Sequence, residues 1–174
     1  MKQIPWIWGP PYAGKTTLHK DLLKRHIPVW ETDEQRGKLP GWRDELWRAW
    51  RPDHPDHAEW SKLNDQHKRD HLQAIKEGKV VITHSPPPAG FKGFLLMPDY
   101  PELAKRAAAD LEKRGNDALW RVDALLHYIN TKDATPKEAT PYDQIIKAVV
   151  SISDRDEEPE VSEDTELANT EGPL

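Results

Sequence analysis

The stretch Gly9-Pro10-Pro11-Tyr12-Ala13-Gly14-Lys15-Thr16 constrains this chain more than any other, because it satisfies G-x-x-x-x-G-K-[ST] at every fixed position. The apolar run Ile4 to Trp8 reads as a strand entering the loop, and Thr16 to Arg25 as a helix leaving it. Strand, glycine turn and helix N-terminus in that order aim successive backbone amides at one anion. Pro10 and Pro11 have no amide to offer. The phosphate cradle is therefore expected from Tyr12, Ala13, Gly14, Lys15, Thr16 and Thr17, with Gly9 opening the turn. The pattern puts Lys15 on the β- and γ-phosphates of a nucleoside triphosphate and the Thr16 hydroxyl on Mg²⁺. Pro5 sits awkwardly here, since a central strand rarely takes proline.

Elsewhere short apolar runs alternate with helical patterns, the signature of an α/β domain with a parallel sheet. Strands are expected at Gln3–Trp8, Ile27–Thr32, Lys79–His84 and Gly93–Met97. Helices are expected at Ala58–Lys76, Pro101–Arg114 and Asp117–Ile129, the last two joined at Gly115-Asn116. Tyr142–Ile152 suits a last strand or a last helix. The 174 residues imply one domain. With no cysteine, disulfides, thiol nucleophiles and cysteine-bound zinc are excluded. No apolar run approaches the roughly 20 residues that span a bilayer, and the N-terminus lacks a signal-peptide core, so a soluble, cytoplasmic protein is expected.

The net charge of −5 hides an asymmetry: Ser153–Leu174 holds nine acidic residues and one arginine, a charge of −8, which leaves residues 1–152 at +3. The domain is thus expected to occupy 1–152 and to trail a disordered acidic tail over 153–174. That tail suits either a solubilising appendage or an internal mimic of a polyanionic substrate.

Ligands in open α/β sheets sit outside the carboxyl ends of the strands. This nominates the glycine loop, Thr32–Arg36 and His84–Gly90. Asp33 could accept the proton of an attacking hydroxyl while Arg36 holds a nearby phosphate, or it could simply cap the next helix. Arg106 and Arg114, spaced along one helix and ending at Gly115, suit a mobile lid that brings a guanidinium onto a transferring phosphoryl group. Arg121 is a third candidate. Trp42, Trp47 and Trp50 stand among Arg43, Arg48 and Arg51, a composition that suits base stacking with phosphate contacts, or a flap stapled to the domain. His54, His57, His67 and His71 include an i, i+4 pair, but no further ligand is well placed for a metal. His84 stands where many nucleoside triphosphatases carry an acidic residue for magnesium, which leaves the second Mg²⁺ ligand unassigned, with Asp33 as a substitute.

Together these residues resemble the small P-loop kinases of the polynucleotide and nucleotide kinase group, above all the phage polynucleotide kinases. The resemblance runs from about Gln3 to Ile129. It rests on the phosphate loop, on the D-x-x-R of Asp33 to Arg36, and on the pieces around Arg106 and Arg114 that are similar to the family's lid. It implies a P-loop kinase fold: a three-layer sandwich with a mainly parallel sheet of about five strands and a helical lid. It also implies ATP and Mg²⁺ as cofactors. Thymidylate and deoxynucleoside kinases carry an Asp-Arg or Glu-Arg after the third strand, whereas this chain reads Thr83-His84-Ser85-Pro86. The departure favours an acceptor hydroxyl on a polymer. The phage kinases that phosphorylate 5-hydroxymethyluracil in DNA, during thymidine hypermodification, are the most concrete match. DNA is then the expected partner, with Trp42, Trp47, Trp50, Arg43 and Arg48 as contacts, in the host cytoplasm if the chain is viral. A deoxynucleoside monophosphate kinase and a nucleotide-dependent binding module are the alternatives.

Overall fold

The computed structural model describes residues 4–131 and 135–154. Four strands, β1 (Pro5–Trp8), β2 (Val29–Glu31), β3 (Val80–Thr83) and β4 (Lys92–Leu95), pair in parallel in the order β2-β3-β1-β4. Parallel neighbours need long crossovers. Helix α1 (Lys15–Lys24) carries the chain from β1 to the edge strand β2. Helix α2 (Thr32–Gly37), a tryptophan-rich segment and α3 (His57–Lys76) return it to β3.

The expected sheet of about five strands is corrected to four among the described residues. The ambiguous segment is a helix, α6 (Tyr142–Ser153), because Ile145, Ile146 and Val149 recur at helical spacing and are buried together. It runs through Ser153, so the boundary expected at 152/153 falls inside a helix; the rest of the acidic tail, from residue 155, lies outside the described residues. Pro5 is accommodated as the first residue of β1, where pairing with β3 begins only at Trp6. No described helix is long and apolar enough to cross a membrane.

Strand alternation sorts the core into two faces. Ile7, Val80, Ile82, Phe94 and Leu96 pack on one face against Leu18 and Leu22 of α1 and against the three apolar residues of α6. On the other face Ile4, Trp6 and Val81 meet Ile75 of α3. Leu95 and Met97 lie against Leu103 and Ala107 of α4 (Tyr100–Arg114) and Leu125 of α5 (Leu119–Thr131). The helical pair expected as a lid is therefore packed on β4. Its start is specified locally, since Asp99 accepts a hydrogen bond from the Glu102 amide at 3.0 Å and Pro101 occupies the first turn. Helix α1 ends at Lys24; just beyond it His26 takes a left-handed φ of 60°, and the Ile27 amide returns to the Leu22 carbonyl at 3.1 Å.

Between α3 and the sheet the packing is aromatic but not apolar. His71 stacks on Trp6 at 5.6 Å and on Trp30 at 5.8 Å, and His67 stacks on Trp30 at 5.8 Å. Both histidines are 0 % exposed, and neither ring makes a hydrogen bond to the described residues. Burial, with the Arg36 charge added, pushes His67 down to about 3 and His71 down to about 4, from an ordinary 6.5. The folded protein keeps both rings neutral where the unfolded chain protonates them. Stability is therefore fully present above about pH 6.5 and falls as the pH drops toward the folded values, by about 1.4 kcal/mol per pH unit for each ring. Urea unfolding followed through this window should show proton uptake on unfolding. A free energy of unfolding that does not change across the window would refute the neutral-histidine account.

Candidate active site

The glycine loop leaves β1 where Gly9 squeezes between two neighbours. Its amide donates to the Thr83 carbonyl of β3 at 3.2 Å, and a Cβ built on it would lie 2.1 Å from the Leu96 carbonyl oxygen just beyond β4. Tyr12 takes a left-handed φ of 68° and Gly14 one of 102°, which turns the chain into α1. Gly14 is the N-cap and no side chain caps the helix, so the first-turn amides remain directed at the cleft. The cleft encloses about 950 Å³ and is lined by Pro11–Thr17, His19, Glu31, Asp33, Glu34, Trp47, Arg106, Trp120 and Arg121 among others. That volume suits a nucleotide-sized ligand.

Lys15 folds back on the loop and donates to the Gly9 carbonyl at 2.9 Å. Burial lowers its pKa, against the opposing pull of Asp33 and Glu31. Asp33 stands at the second position of α2 and also lines the cleft. Desolvation pushes its carboxyl up to about 6, with Lys15 and then Arg36 restraining the rise. The capping role weighed for Asp33 is not the one it takes: the N-cap of α2 is Glu31, without a side-chain bond. Thr16 and Thr17 are exposed in the cleft wall, where the Thr16 hydroxyl is free to meet a cation.

The arginines divide by position. Arg106 donates to the Tyr12 carbonyl at 2.8 Å and to Glu102 at 3.0 Å, so α4 holds the loop from above. Arg114 donates twice to Asp110, at 2.5 and 2.6 Å, and Tyr12 also donates its hydroxyl proton to Asp110, at 2.6 Å. Those bonds hold the Asp110 carboxyl well below the usual carboxylate range and make Arg114 an anchor of the loop. Arg121 lies over Tyr12 and Trp120, with ring-centre distances of 6.0 and 5.2 Å, and it lines the cleft as Arg106 does. Arg36, expected to hold an acceptor phosphate, is 4 % exposed and wedged between Trp42 and Trp60. Its charge bears on Asp33, restraining the rise in that carboxyl's pKa. His84, expected to end the third strand, lies just beyond β3, where burial and then the Lys15 charge push it down to about 3.

Of the tryptophan-rich segment, only Trp47 reaches the cleft, and it lies parallel to Trp120 at 6.0 Å. Trp42 and Trp50 pack on a small cluster of Leu46, Ala49 and Trp60, the flap-stapling role. Arg43 is engaged by Glu59 at 2.8 Å and Asp56 at 3.1 Å. Arg48 and Arg51 are exposed and share a second cavity with Trp47, Trp50 and Trp120. Sequence reasoning missed Trp120, which carries no motif, and also His19, Glu31 and Glu34. A signal existed for two of these: His19 follows Lys15 by one helical turn, and Glu31 ends a strand on the ligand side of the sheet.

Gly9→Ala tests the squeeze at the end of β1. Because the clash is with backbone, the sheet itself must shift, at a cost of about 1–3 kcal/mol. Thermal melting should show the loss. Gly41→Ala serves as the comparison, since it meets nothing within 4 Å and suffers only from its φ of 88°. Equal melting temperatures for the Gly9 variant and the parent would contradict the packing described.

No protein-family model matches this chain, and no curated protein does. Among solved structures it is similar to the unliganded crystal structure of a sugar kinase from Janibacter sp. HTCC2649. The likeness has 16% identity and a TM-score of 0.43, over 88% of this chain and 95% of that one. A similarity so loose carries no argument about this protein's chemistry.

Proposed function

We propose that this protein is an ATP-dependent phosphotransferase of the P-loop kinase type, acting on an alcohol hydroxyl. The observation that carries the reading is Lys15 and Asp33 in one cleft: an ammonium at the mouth of an uncapped helix, and beside it a carboxyl pushed up to about 6. Phosphoryl transfer requires positioning, charge neutralisation and a proton acceptor, and little else from the protein. The amides from Tyr12 to Thr17 would cradle the phosphates, and Lys15 would exchange the Gly9 carbonyl for the β- and γ-phosphate oxygens. Mg²⁺, held by the Thr16 hydroxyl, supplies further neutralisation of charge when bound. Arg106 and Arg121 line the same cleft and add positive charge where the transferring group would lie. The acceptor oxygen forms its bond to the γ-phosphorus as the bond to the bridging oxygen of ADP breaks. Asp33 takes the acceptor's proton.

For the acceptor we propose a hydroxyl on DNA, most concretely 5-hydroxymethyluracil. Trp47 and Trp120 in the cleft wall support this, with exposed Arg48 and Arg51 beside them, a pairing of aromatic faces and phosphate-seeking charge that suits a strand. A deoxynucleoside monophosphate kinase is the nearest alternative reading.

Lys15→Ala should lower transfer by about 10² to 10³ while leaving the melting temperature close to that of the parent. Asp33→Asn should lower kcat by about 10² to 10⁴ with little change in the KM for ATP. Because the base works ionised, kcat/KM in the parent should rise with pH to a plateau, with an apparent pKa of about 6, and that limb should vanish in Asp33→Asn. Labelled ATP offered with hydroxymethylated DNA and with dNMPs, across a salt series, identifies the acceptor. DNA phosphorylation that weakens steeply with salt supports the strand reading. Rapid dNMP turnover without DNA transfer would replace it with the monophosphate kinase, and transfer to neither would leave a nucleotide-dependent binding module.

A further inference from the structure

Three side chains of the cleft that could ligate a metal are left over once the phosphate loop and Asp33 have been assigned. His19 lies on α1, one turn beyond Lys15; Glu31 ends β2; and Glu34 lies in the first turn of α2. Three separate elements thus converge on one point. His19 Nδ1 is 2.5 Å from a Glu31 carboxylate oxygen and 3.0 Å from Oε2 of Glu34. One donor atom from each residue falls within 4.8 Å of the other two. Two of the three are shielded from solvent, His19 being 8 % exposed and the Glu31 side chain 13 %, while the Glu34 side chain, at 38 %, forms the open side of the cluster. Two carboxylates drawn so close repel each other unless positive charge lies between them. The exposed Lys38 pairs with Oε1 of Glu34 at 2.9 Å, while Oε2 faces the imidazole. Such outer partners characteristically orient metal-ligating groups.

We infer that His19, Glu31 and Glu34 form a site for one divalent transition cation of the Mn²⁺ or Zn²⁺ kind, distinct from the Mg²⁺ position at Thr16. One imidazole and two carboxylates match those ions, whereas Mg²⁺ and Ca²⁺ favour all-oxygen shells. Three protein ligands leave coordination positions open, and all three residues line the cleft, so the ion would face whatever occupies it. The inference does not depend on the kinase reading, because it concerns binding without nucleotide.

The test uses the full chain in the absence of nucleotide. Mn²⁺ is titrated with the free ion followed by electron paramagnetic resonance, and Zn²⁺ is titrated by calorimetry. One saturable ion per chain is expected, and His19→Ala and Glu34→Gln should each weaken it at least tenfold, the lower end of what loss of an outer-shell partner does. Thr16→Ala should leave it unchanged. Glu34 is the more accessible residue, so Glu34→Gln decides the matter if His19→Ala fails to fold. No saturable binding of either ion, with the parent well in excess of background, would mean that a shared proton alone bridges the three groups, and would overturn the inference. Binding that survives Glu34→Gln, or that is lost in Thr16→Ala, would overturn it as well.

Discussion

The close fit of Gly9 between the ends of β3 and β4 is the constraint on which the rest of the cleft depends. A parallel sheet delivers the carboxyl ends of its strands to one edge, and here the inner strand β1 ends against Thr83 on one side and Leu96 on the other. Without a side chain at that point the loop starts from a fixed place, and two left-handed residues, Tyr12 and Gly14, complete its turn. The loop is then held from outside by α4, since the Tyr12 carbonyl accepts from Arg106 and the Tyr12 hydroxyl reaches Asp110. Residues almost a hundred positions apart thus share control of where the helix N-terminus points.

Charge in the cleft is governed by desolvation more than by pairing. Lys15 and Asp33 sit near enough to stabilise each other, yet burial dominates both, lowering the one pKa and raising the other. Each is moved toward neutrality, the condition in which a carboxyl can take and release a proton near neutral pH. Arg36, held between two tryptophan faces, adds a further positive charge that acts on Asp33. That same charge bears on His67, His71 and His84, so a single buried guanidinium links the acidity of the cleft to a neutral layer of stacked imidazoles and indoles. Flat rings fill the space under α3 at little cost in side-chain entropy.

How much of this could be read from the chain differs by kind. The strand-loop-helix around Lys15, the parallel alternation and the capped start of α4 rest on local chemistry: a strand period of two, glycine dihedrals, and an aspartate placed three residues before a glutamate amide. Asp33 was nominated by its position after the second strand, and it lines the cleft. Its partner in the motif, Arg36, behaves otherwise because Trp42, in the loop after α2, and Trp60 of α3 fold over it and exclude it from solvent. The ambiguity over the last segment, Tyr142–Ser153, had a similar origin, since a short apolar run suits either a strand or a helix until packing against α1 and the sheet selects one.

The sequence alone determined that an α/β sheet would present a glycine loop and a helix N-terminus at one edge, since those features follow from residues adjacent in the chain. Only the tertiary structure decided which charged and aromatic side chains share the cleft. Arg121 and Trp120 of α5 and Trp47 of the flap require elements far apart in sequence to converge, and His19 meets Glu31 and Glu34 only because α1 folds back along β2. Spacing along a chain specifies a face of a helix or strand; which faces meet is set by burial of the whole core, a property no local window contains.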